Sequence, residues 1–185
     1  MTDIESNSTL TVDRNHTESS ALLGTLPMRM PDRHDAAGIH QLISQCPPLD
    51  QNSLYTYLLL SEHFRSTCII AHDQGALAGF VSAYIPPGRE DVLFVWQVAV
   101  HQRARGKALG KRMLHQLLLR PELSQVTHIE TTVGPENRAS RAMFAHVADE
   151  LRTSLTEQPL FERELFGQHG HDDEPLLRIG PLRAV

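Results

Sequence analysis

The sequence predicts one α/β domain built on a mixed β-sheet that is flanked by helices. A chain of 185 residues is long enough for one such domain and short for two. Residues 92–100, VLFVWQVAV, form an almost continuous apolar, β-branched run, which is typical of a strand covered on both faces. Helical and strand patterns alternate only in the second half of the chain, which favours a mixed sheet over a fully parallel one.

The first third of the chain predicts a tail, a strand and two helices. Residues 1–24 are rich in Ser, Thr, Asn and acids, which predicts a disordered tail before a domain at residues 25–183. Residues 26–30 resemble a short strand. A helix opens at Pro31-Asp32 and stops at Pro47-Pro48, and a second helix starts near Asn52-Ser53.

The rest of the chain supplies most of the strands. Two β-rich runs flank a turn at residues 73–75, DQG, and predict a hairpin. An amphipathic helix follows a basic loop and ends before Pro121, and another helix starts at residues 135–137. The predicted strands are residues 67–71, 77–84, 92–100, 126–133, 160–166 and 176–179. The expected order is β-α-α-β-β-β-α-β-α-β-β, with residues 92–100 at the centre of the sheet.

Charge and composition narrow the possible partners. The chain has 17 Lys and Arg against 22 Asp and Glu, a net charge of −5, so nucleic acid is not an expected partner. The sequence has neither a signal-peptide pattern nor an apolar run of membrane-spanning length, which predicts a cytoplasmic protein with no membrane partner. Cys46 and Cys68 fit a reducing compartment and are predicted to be buried free thiols.

Histidines are frequent, with eleven in the chain, and they cluster in the segment HGHDD at residues 169–173. The spacing there matches no zinc pattern such as H-E-x-x-H. A flexible loop is therefore the favoured interpretation, with substrate contact as the alternative.

The basic loop at residues 102–110, QRARGKALG, joins the most apolar strand to a helix. A helix N-terminus offers free N–H donors and partial positive charge, and Arg103, Arg105 and Lys107 add full charges, so a pyrophosphate could bind here. The alternative is a solvated loop that only begins a helix. The loop contains neither a P-loop nor a dinucleotide fingerprint.

Arg103-x-x-Gly106-x-Ala108 resembles the acyl-CoA signature R/Q-x-x-G-x-G/A of the GNAT acetyltransferase superfamily. The resemblance implies a GNAT-type fold, acetyl-CoA as co-substrate, and strand amides that hold the thioester and pantetheine. Asn137 would contact the CoA arm, although Asn is also a good N-cap. The implied cofactor-binding residues are Val98, Val100, Arg103, Arg105, Gly106, Lys107, Ala108, Gly110, Asn137 and Ser140.

A narrower resemblance covers residues 26–179. Residues 47–60 (PPLDQNSLYTYLLL), 79–84 (GFVSAY), 93–100 and 129–132 (IETT) are similar to the diaminobutyrate acetyltransferases of the ectoine pathway. This family transfers acetyl from acetyl-CoA to the 4-amino group of L-2,4-diaminobutyrate, needs no metal and forms homodimers. The alternatives are acetylation of another small amine or polyamine, or a non-catalytic CoA-binding module.

The family resemblance implies five substrate-binding residues, and each has a purely structural alternative. Asp50 and Glu157 can pair with ammonium groups, and Asn52 can hydrogen-bond a carboxylate or an amine. Trp96 offers its ring face to a cation, but a Trp in an apolar strand is often core. Tyr55 could be packing between helices, Asp50 a turn residue, and Glu157 a solvated acid in the loop after the last long helix.

The predicted chemistry needs a base, because an amine attacks a thioester only when neutral and a free aliphatic amine has a pKa of about 10. Glu157 ranks slightly before Asp50 as this catalytic base, with Glu130 acting through a water as a third candidate. The backbone N–H near Val98 would meet the oxyanion. Many GNAT enzymes use a Tyr as general acid where this chain has Phe144, so the acid is unassigned.

Overall fold

The computed structural model describes residues 26–167 and 171–182. Within these ranges the chain forms seven strands and four α-helices. The strands are β1 (Met28–Arg29), β2 (Ile69–Asp73), β3 (Ala76–Tyr84), β4 (Val92–Val100), β5 (His128–Thr132), β6 (Ser154–Phe161) and β7 (Glu174–Gly180). The helices are α1 (Ala36–Ser44), α2 (Leu54–Glu62), α3 (Leu109–Leu118) and α4 (Arg138–Glu150). The predicted tail, residues 1–24, lies outside the described residues.

All seven strands form one mixed sheet in the order β1-β2-β3-β4-β5-β7-β6. Neighbours pair antiparallel except for β4 and β5, which are parallel. The mixed sheet, the element order and the central position of residues 92–100 are therefore confirmed. A strand in that place is covered from both sides, which explains why its sequence is apolar rather than alternating.

A helix layer covers each face of the sheet. On one face, α1 and α2 bury a cluster around Ile39, Tyr57 and Phe80. On the other face, α3 and α4 pack Met113 and Phe144 against the inner residues of β2 to β7. None of the helices in the described ranges is long and apolar enough to span a membrane.

Local sequence signals fix several helix and turn positions. Helix α2 begins directly after Ser53, whose Oγ accepts from the Thr56 N–H at 3.4 Å as an N-cap. The hairpin turn between β2 and β3 has Gln74 at φ 52° and Gly75 at φ 79°, the left-handed conformations that a tight hairpin requires. The predicted helix start at residues 52–53 and the predicted hairpin turn at residues 73–75 are both confirmed.

The strand predicted at residues 160–166 is wrong. The strand β6 is Ser154–Phe161, and a 3₁₀ turn at Arg163–Phe166 follows it. Strand β6 is an edge strand that is exposed along nearly its whole length, so neither face needs apolar residues and its sequence carries no alternation. Glu157 consequently lies within a strand and not in the predicted loop.

Candidate active site

The central strands part to form a cleft. Strand β4 pairs with β5 only at Val92, Leu93 and Phe94, although β4 continues alongside β3 to Val100. Past Phe94 the two parallel strands therefore diverge, and one edge of β4 is left open. Such an edge offers unpaired backbone groups to a ligand.

The register of β4 shows which amides face this opening. The His101 N–H donates to Ala78 O on β3 at 2.9 Å, and amides alternate between the two edges along a strand. The N–H groups of Val98 and Val100 therefore face away from β3, toward the opening. These are the two strand residues for which the family resemblance implies contacts with the thioester and pantetheine.

A β-bulge sets the direction of Trp96. Gln97 lies opposite Ser82 and Val95 lies opposite Ala83, so Trp96 is the extra residue on β4. A bulge redirects the side chain it carries and often lies beside a ligand site. Trp96 is 41% exposed, which contradicts the alternative that it is core packing.

The basic loop folds as a ligand cradle at the end of this opening. Gly106 has φ 76°, Ala108 has φ 53°, and α3 begins at the next residue, so successive amides turn toward the start of the helix. A Cβ on Gly110 would lie 2.9 Å from Met143 Sδ and 3.1 Å from Val98 Cγ1. A side chain at Gly110 would press on both residues, because α3, α4 and β4 converge there.

A cleft of about 590 Å³ runs from the opening to this loop. The structure brings together in its lining eight of the ten predicted cofactor residues: Val98, Val100, Arg105, Gly106, Ala108, Gly110, Asn137 and Ser140. The cradle, the open strand edge and the volume suit a long, phosphate-bearing ligand such as coenzyme A.

Arg103 and Lys107 are directed elsewhere. The guanidinium of Arg103 donates to Leu77 O at 2.7 Å, and Lys107 Nζ lies 3.8 Å from Asp73 Oδ2. Both side chains thus reach the β2–β3 hairpin, and they lie outside the cleft lining. The number of basic residues in a loop predicts a phosphate site, but it does not show which of their side chains point into that site.

Three of the predicted substrate-binding residues, Asp50, Asn52 and Tyr55, lie just before α2 or in its first turn. Asp50 and Tyr55 are exposed, Tyr55 to 68%, and Asn52 is half-buried. Asp50 Oδ2 lies 3.7 Å from His171 Nε2, so the β6–β7 connection approaches the segment before α2. The exposure of Tyr55 argues against simple packing between helices.

His171, in the segment predicted as a flexible loop with substrate contact as the alternative, makes defined side-chain contacts. Its ring stacks on Phe166 with the centroids 4.0 Å apart. The hydrogen bond to the Asp172 carbonyl raises the pKa of His171 and burial opposes it, while the carboxylates of Glu174 and Asp50 add to the increase. His169 lies outside the described residues.

Glu157 has a different environment from that of Asp50. Its Oε2 pairs with Arg141 of α4 at 2.5 Å, and Arg141 also donates to Val133 O at 3.2 Å. Glu157 lines a second cavity of about 630 Å³ between β6 and the start of β7. The two predicted base candidates therefore have different partners.

Comparisons with known proteins agree with this geometry. Residues 36–148 match the sequence profile of the Acetyltransferase (GNAT) family. The L-2,4-diaminobutyric acid acetyltransferase of Bordetella parapertussis is 59% identical over 156 residues, 84% of each chain. The protein of the same name from Halomonas elongata is 42% identical over 85% of this chain and 82% of its own.

This chain belongs to the GNAT family, among its L-2,4-diaminobutyric acid acetyltransferases. A solved structure supports the same conclusion. Diaminobutyrate acetyltransferase EctA from Paenibacillus lautus, in complex with L-2,4-diaminobutyric acid and coenzyme A, has a TM-score of 0.82 and 39% identity over 85% of this chain and 95% of its own. The ribosomal-protein-S18-alanine N-acetyltransferase of Escherichia coli, 15% identical with a TM-score of 0.63, shares the fold.

Glu130 has the environment of a structural anchor in this GNAT acetyltransferase. It is 2% exposed, accepts from Arg89 at 2.5 Å and also pairs with Arg178. Burial raises the pKa of Glu130, but the hydrogen bonds from the two arginines outweigh burial and hold it below its ordinary value. A carboxylate engaged in this way is a weak base. Glu130 lies opposite Phe94, the last residue of β4 that pairs with β5.

Phe144 has no proton to donate, and at 2% exposure it lies in the core. The family's general acid is therefore unassigned here by structure as well as by sequence. Among residues 26–167 and 171–182, no group of three His, Cys, Asp or Glu is placed to hold a metal ion.

Sequence reasoning missed several residues of the cofactor cleft. Cys46, Lys111, Met143 and His146 also line it. Ala139, Met143 and His146 line the cleft at four- and three-residue spacing on one face of α4, so helical periodicity could have found Met143 and His146. Cys46 comes from a distant helix end, and no local pattern points to it.

Proposed function

We propose that this chain transfers the acetyl group of acetyl-CoA to the 4-amino group of L-2,4-diaminobutyrate, giving N4-acetyl-L-2,4-diaminobutyrate in ectoine biosynthesis. The observation that carries the proposal is the match to the Paenibacillus lautus enzyme, whose structure holds both diaminobutyric acid and coenzyme A. The cleft at the β4–β5 opening and the acceptor-side residues Asp50 and Asn52 support it.

The cofactor is proposed to lie along the cleft. Its pyrophosphate would meet the amides from Gly106 to the first turn of α3, where donors and the helix dipole favour an anion. The pantetheine would follow the open edge of β4. The thioester carbonyl would accept from the N–H of Val98, and this fixed donor would stabilise the oxyanion.

The acceptor is proposed to bind from the side of Asp50, Asn52, Tyr55 and Trp96. Asp50 would attract an ammonium group, and the exposed face of Trp96 would contact a cation. The neutral 4-amine attacks the thioester carbon, and collapse of the tetrahedral intermediate breaks the C–S bond and releases the CoA thiolate. The thiolate takes a proton from solvent.

Glu157 and Asp50 are the two proposed bases that take the amine proton. Asp50 lies beside His171, whereas Glu157 is held by Arg141. We expect amide substitution of the residue that acts as base to lower kcat by the larger factor, whereas loss of an ammonium contact alone would raise the KM for diaminobutyrate. Asp50→Asn and Glu157→Gln separate the two, and Glu122→Gln, an exposed acid after α3, is the matched control.

We also propose that the chain forms a homodimer in the cytoplasm. The edge strand β6 is exposed along its length and carries Leu160 and Phe161, which are large apolar side chains open to solvent. An exposed edge strand presents unpaired backbone N–H and C=O groups, which a second chain can cover. The two free thiols suit a reducing compartment. Sedimentation of the purified protein at two times the monomer mass would support the dimer, and a monomer would contradict it.

The experiment that tests the function is an acceptor competition. The purified protein is incubated with acetyl-CoA and diaminobutyrate, ornithine, lysine or spermidine, CoA release is followed, and the acetylated nitrogen is located by NMR. We expect the highest kcat/KM with diaminobutyrate and acetylation at N4. Faster turnover of another amine would support an acetyltransferase but contradict diaminobutyrate as its substrate. Binding of acetyl-CoA without release of CoA in all four mixtures would favour a non-catalytic CoA-binding module.

A further inference from the structure

Three polar side chains are buried between α2 and β4, next to the acceptor side of the site. Tyr57 and Ser82 are fully buried, and Gln97 is 4% exposed. Polar groups in an interior are stable only when they have hydrogen-bond partners. The Ser82 Oγ accepts from the backbone N–H of Gln97 at 3.1 Å, while the side chains of Gln97 and Tyr57 reach another segment.

Both side chains end on the backbone of residues 50–52. The Gln97 Nε2 donates to Asp50 O at 2.8 Å, and the Tyr57 hydroxyl accepts from the Asn52 N–H at 3.3 Å. The same hydroxyl donates to Gln97 Oε1 at 3.5 Å, which joins the two contacts into one network. Two side chains thus hold both ends of a three-residue segment.

The direction of each bond in this network is determined. A backbone carbonyl only accepts and a backbone N–H only donates, so Gln97 must present its nitrogen to Asp50 and Tyr57 must present a lone pair to Asn52. The hydroxyl proton of Tyr57 then points to the Gln97 oxygen. Neither residue has an isosteric replacement that keeps both contacts.

We propose that Tyr57 and Gln97 are positioning residues that set the acceptor amine against the thioester, an inference that rests on the proposed function. Gln97 lies in β4 between the bulged Trp96 and Val98, the proposed oxyanion donor. The network therefore ties the segment that bears Asp50 and Asn52 to the strand that bears the reaction centre. A displacement of about 1 Å in such a segment can cost 10²-fold in rate.

The network predicts an effect on one substrate and not the other. The cofactor cleft is lined by residues 46–49, β4, the basic loop, α3 and α4, and neither Tyr57 nor residues 50–52 belong to its lining. Loosening residues 50–52 should therefore misplace the acceptor and leave acetyl-CoA binding intact. A role in folding alone would lower stability without separating the two substrates.

The test is Tyr57→Phe, which removes the hydroxyl and keeps the ring that packs edge-on against Phe80. We expect kcat/KM for diaminobutyrate to fall at least 10-fold, with the KM for acetyl-CoA and its binding isotherm within two-fold of the wild type. Tyr84→Phe is the matched control, because the Tyr84 ring packs on Phe94 and not on Tyr57 or Gln97, and it should leave kcat/KM for diaminobutyrate and the KM for acetyl-CoA unchanged. Melting curves of all variants establish that each is folded.

A second variant makes the test independent of one substitution. Gln97→Met keeps the length of the side chain without its hydrogen bonds. In the double variant with Tyr57→Phe, the fall in kcat/KM for diaminobutyrate should be smaller than the product of the two single falls, because both residues act on one segment. Diaminobutyrate kinetics within two-fold of the wild type in folded Tyr57→Phe, or equal rises in both KM values, would overturn the inference. A wild-type protein that turns over a different amine would overturn the proposed substrate, and the same variants are then compared with that amine.

Discussion

The cofactor side and the acceptor side of the site are built differently. The cofactor side uses backbone groups: the open edge of β4, the turn at Gly106 and Ala108, and the start of α3. The proposed acceptor side uses side chains from separate segments, the exposed Asp50 and Trp96 and the half-buried His171. Binding by backbone groups tolerates side-chain changes that do not alter the backbone geometry. Binding on the proposed acceptor side depends on individual functional groups.

The largest effect is expected where the two sides meet, at Glu130. Glu130→Leu leaves the partly exposed Arg89 and Arg178 without their acceptor, and loss of hydrogen bonds to a charged group costs about 1.5–3 kcal/mol. We expect the free energy of unfolding, measured with urea, to fall by about this amount. Both KM values should rise as well, since the residue lies where β4 and β5 diverge.

The pH dependence follows from the lowered pKa of Glu130. A depressed carboxyl pKa contributes stability that is present above the unfolded value, about 4.3, and is lost as the pH falls through the folded value. Acid unfolding should therefore be less steep in Glu130→Gln than in the wild type. Equal pH slopes for the two proteins would contradict the assignment of Glu130 as an anchor.

A pair of substitutions tests whether the two sides are separable. Gly110→Ala forces a Cβ against Met143 and Val98, and we expect the KM for acetyl-CoA to rise about 10-fold, which is 1.4 kcal/mol, with little change for diaminobutyrate. Asp50→Asn should show the opposite selectivity, because it removes a charge from the acceptor side alone.

The matched control for Gly110→Ala is Gly38→Ala. Gly38 lies in α1, where a Cβ would meet only Leu77 Cδ2 at an ordinary 3.8 Å. That change should raise stability by about 0.5–1 kcal/mol and leave both KM values unchanged. Parallel rises of the two KM values in Gly110→Ala would contradict separable sides.

The smallest effect is expected at Ala108, which has φ 53° at the start of α3. A residue with a Cβ pays about 1–2 kcal/mol in this conformation, and glycine pays a larger entropy cost in the unfolded chain. We expect Ala108→Gly to raise the unfolding free energy by about 0.5–1 kcal/mol, seen as a higher Tm. A lower Tm would show that the loop is not strained in the folded protein.

Sequence patterns predicted the fold well where burial constrains composition. Residues 92–100 and the helix with Met113 are confirmed because a covered strand and an amphipathic helix each need a definite apolar pattern. The strand at residues 160–166 is wrong because the exposed edge strand β6 needs no such pattern. Cys46 and Cys68 are buried as predicted, and burial raises the pKa of Cys68 to about 11.

The sequence by itself determined the family, the element order and the cofactor cradle, since these depend on contiguous segments whose residues remain neighbours in the fold. Tertiary structure decided the rest. It turned Arg103 and Lys107 toward the hairpin, paired Glu157 with Arg141, brought His171 to Asp50 and enclosed Gln97 against residues 50–52. These contacts join positions far apart in the chain, and their partners are chosen by packing and charge that no local pattern records.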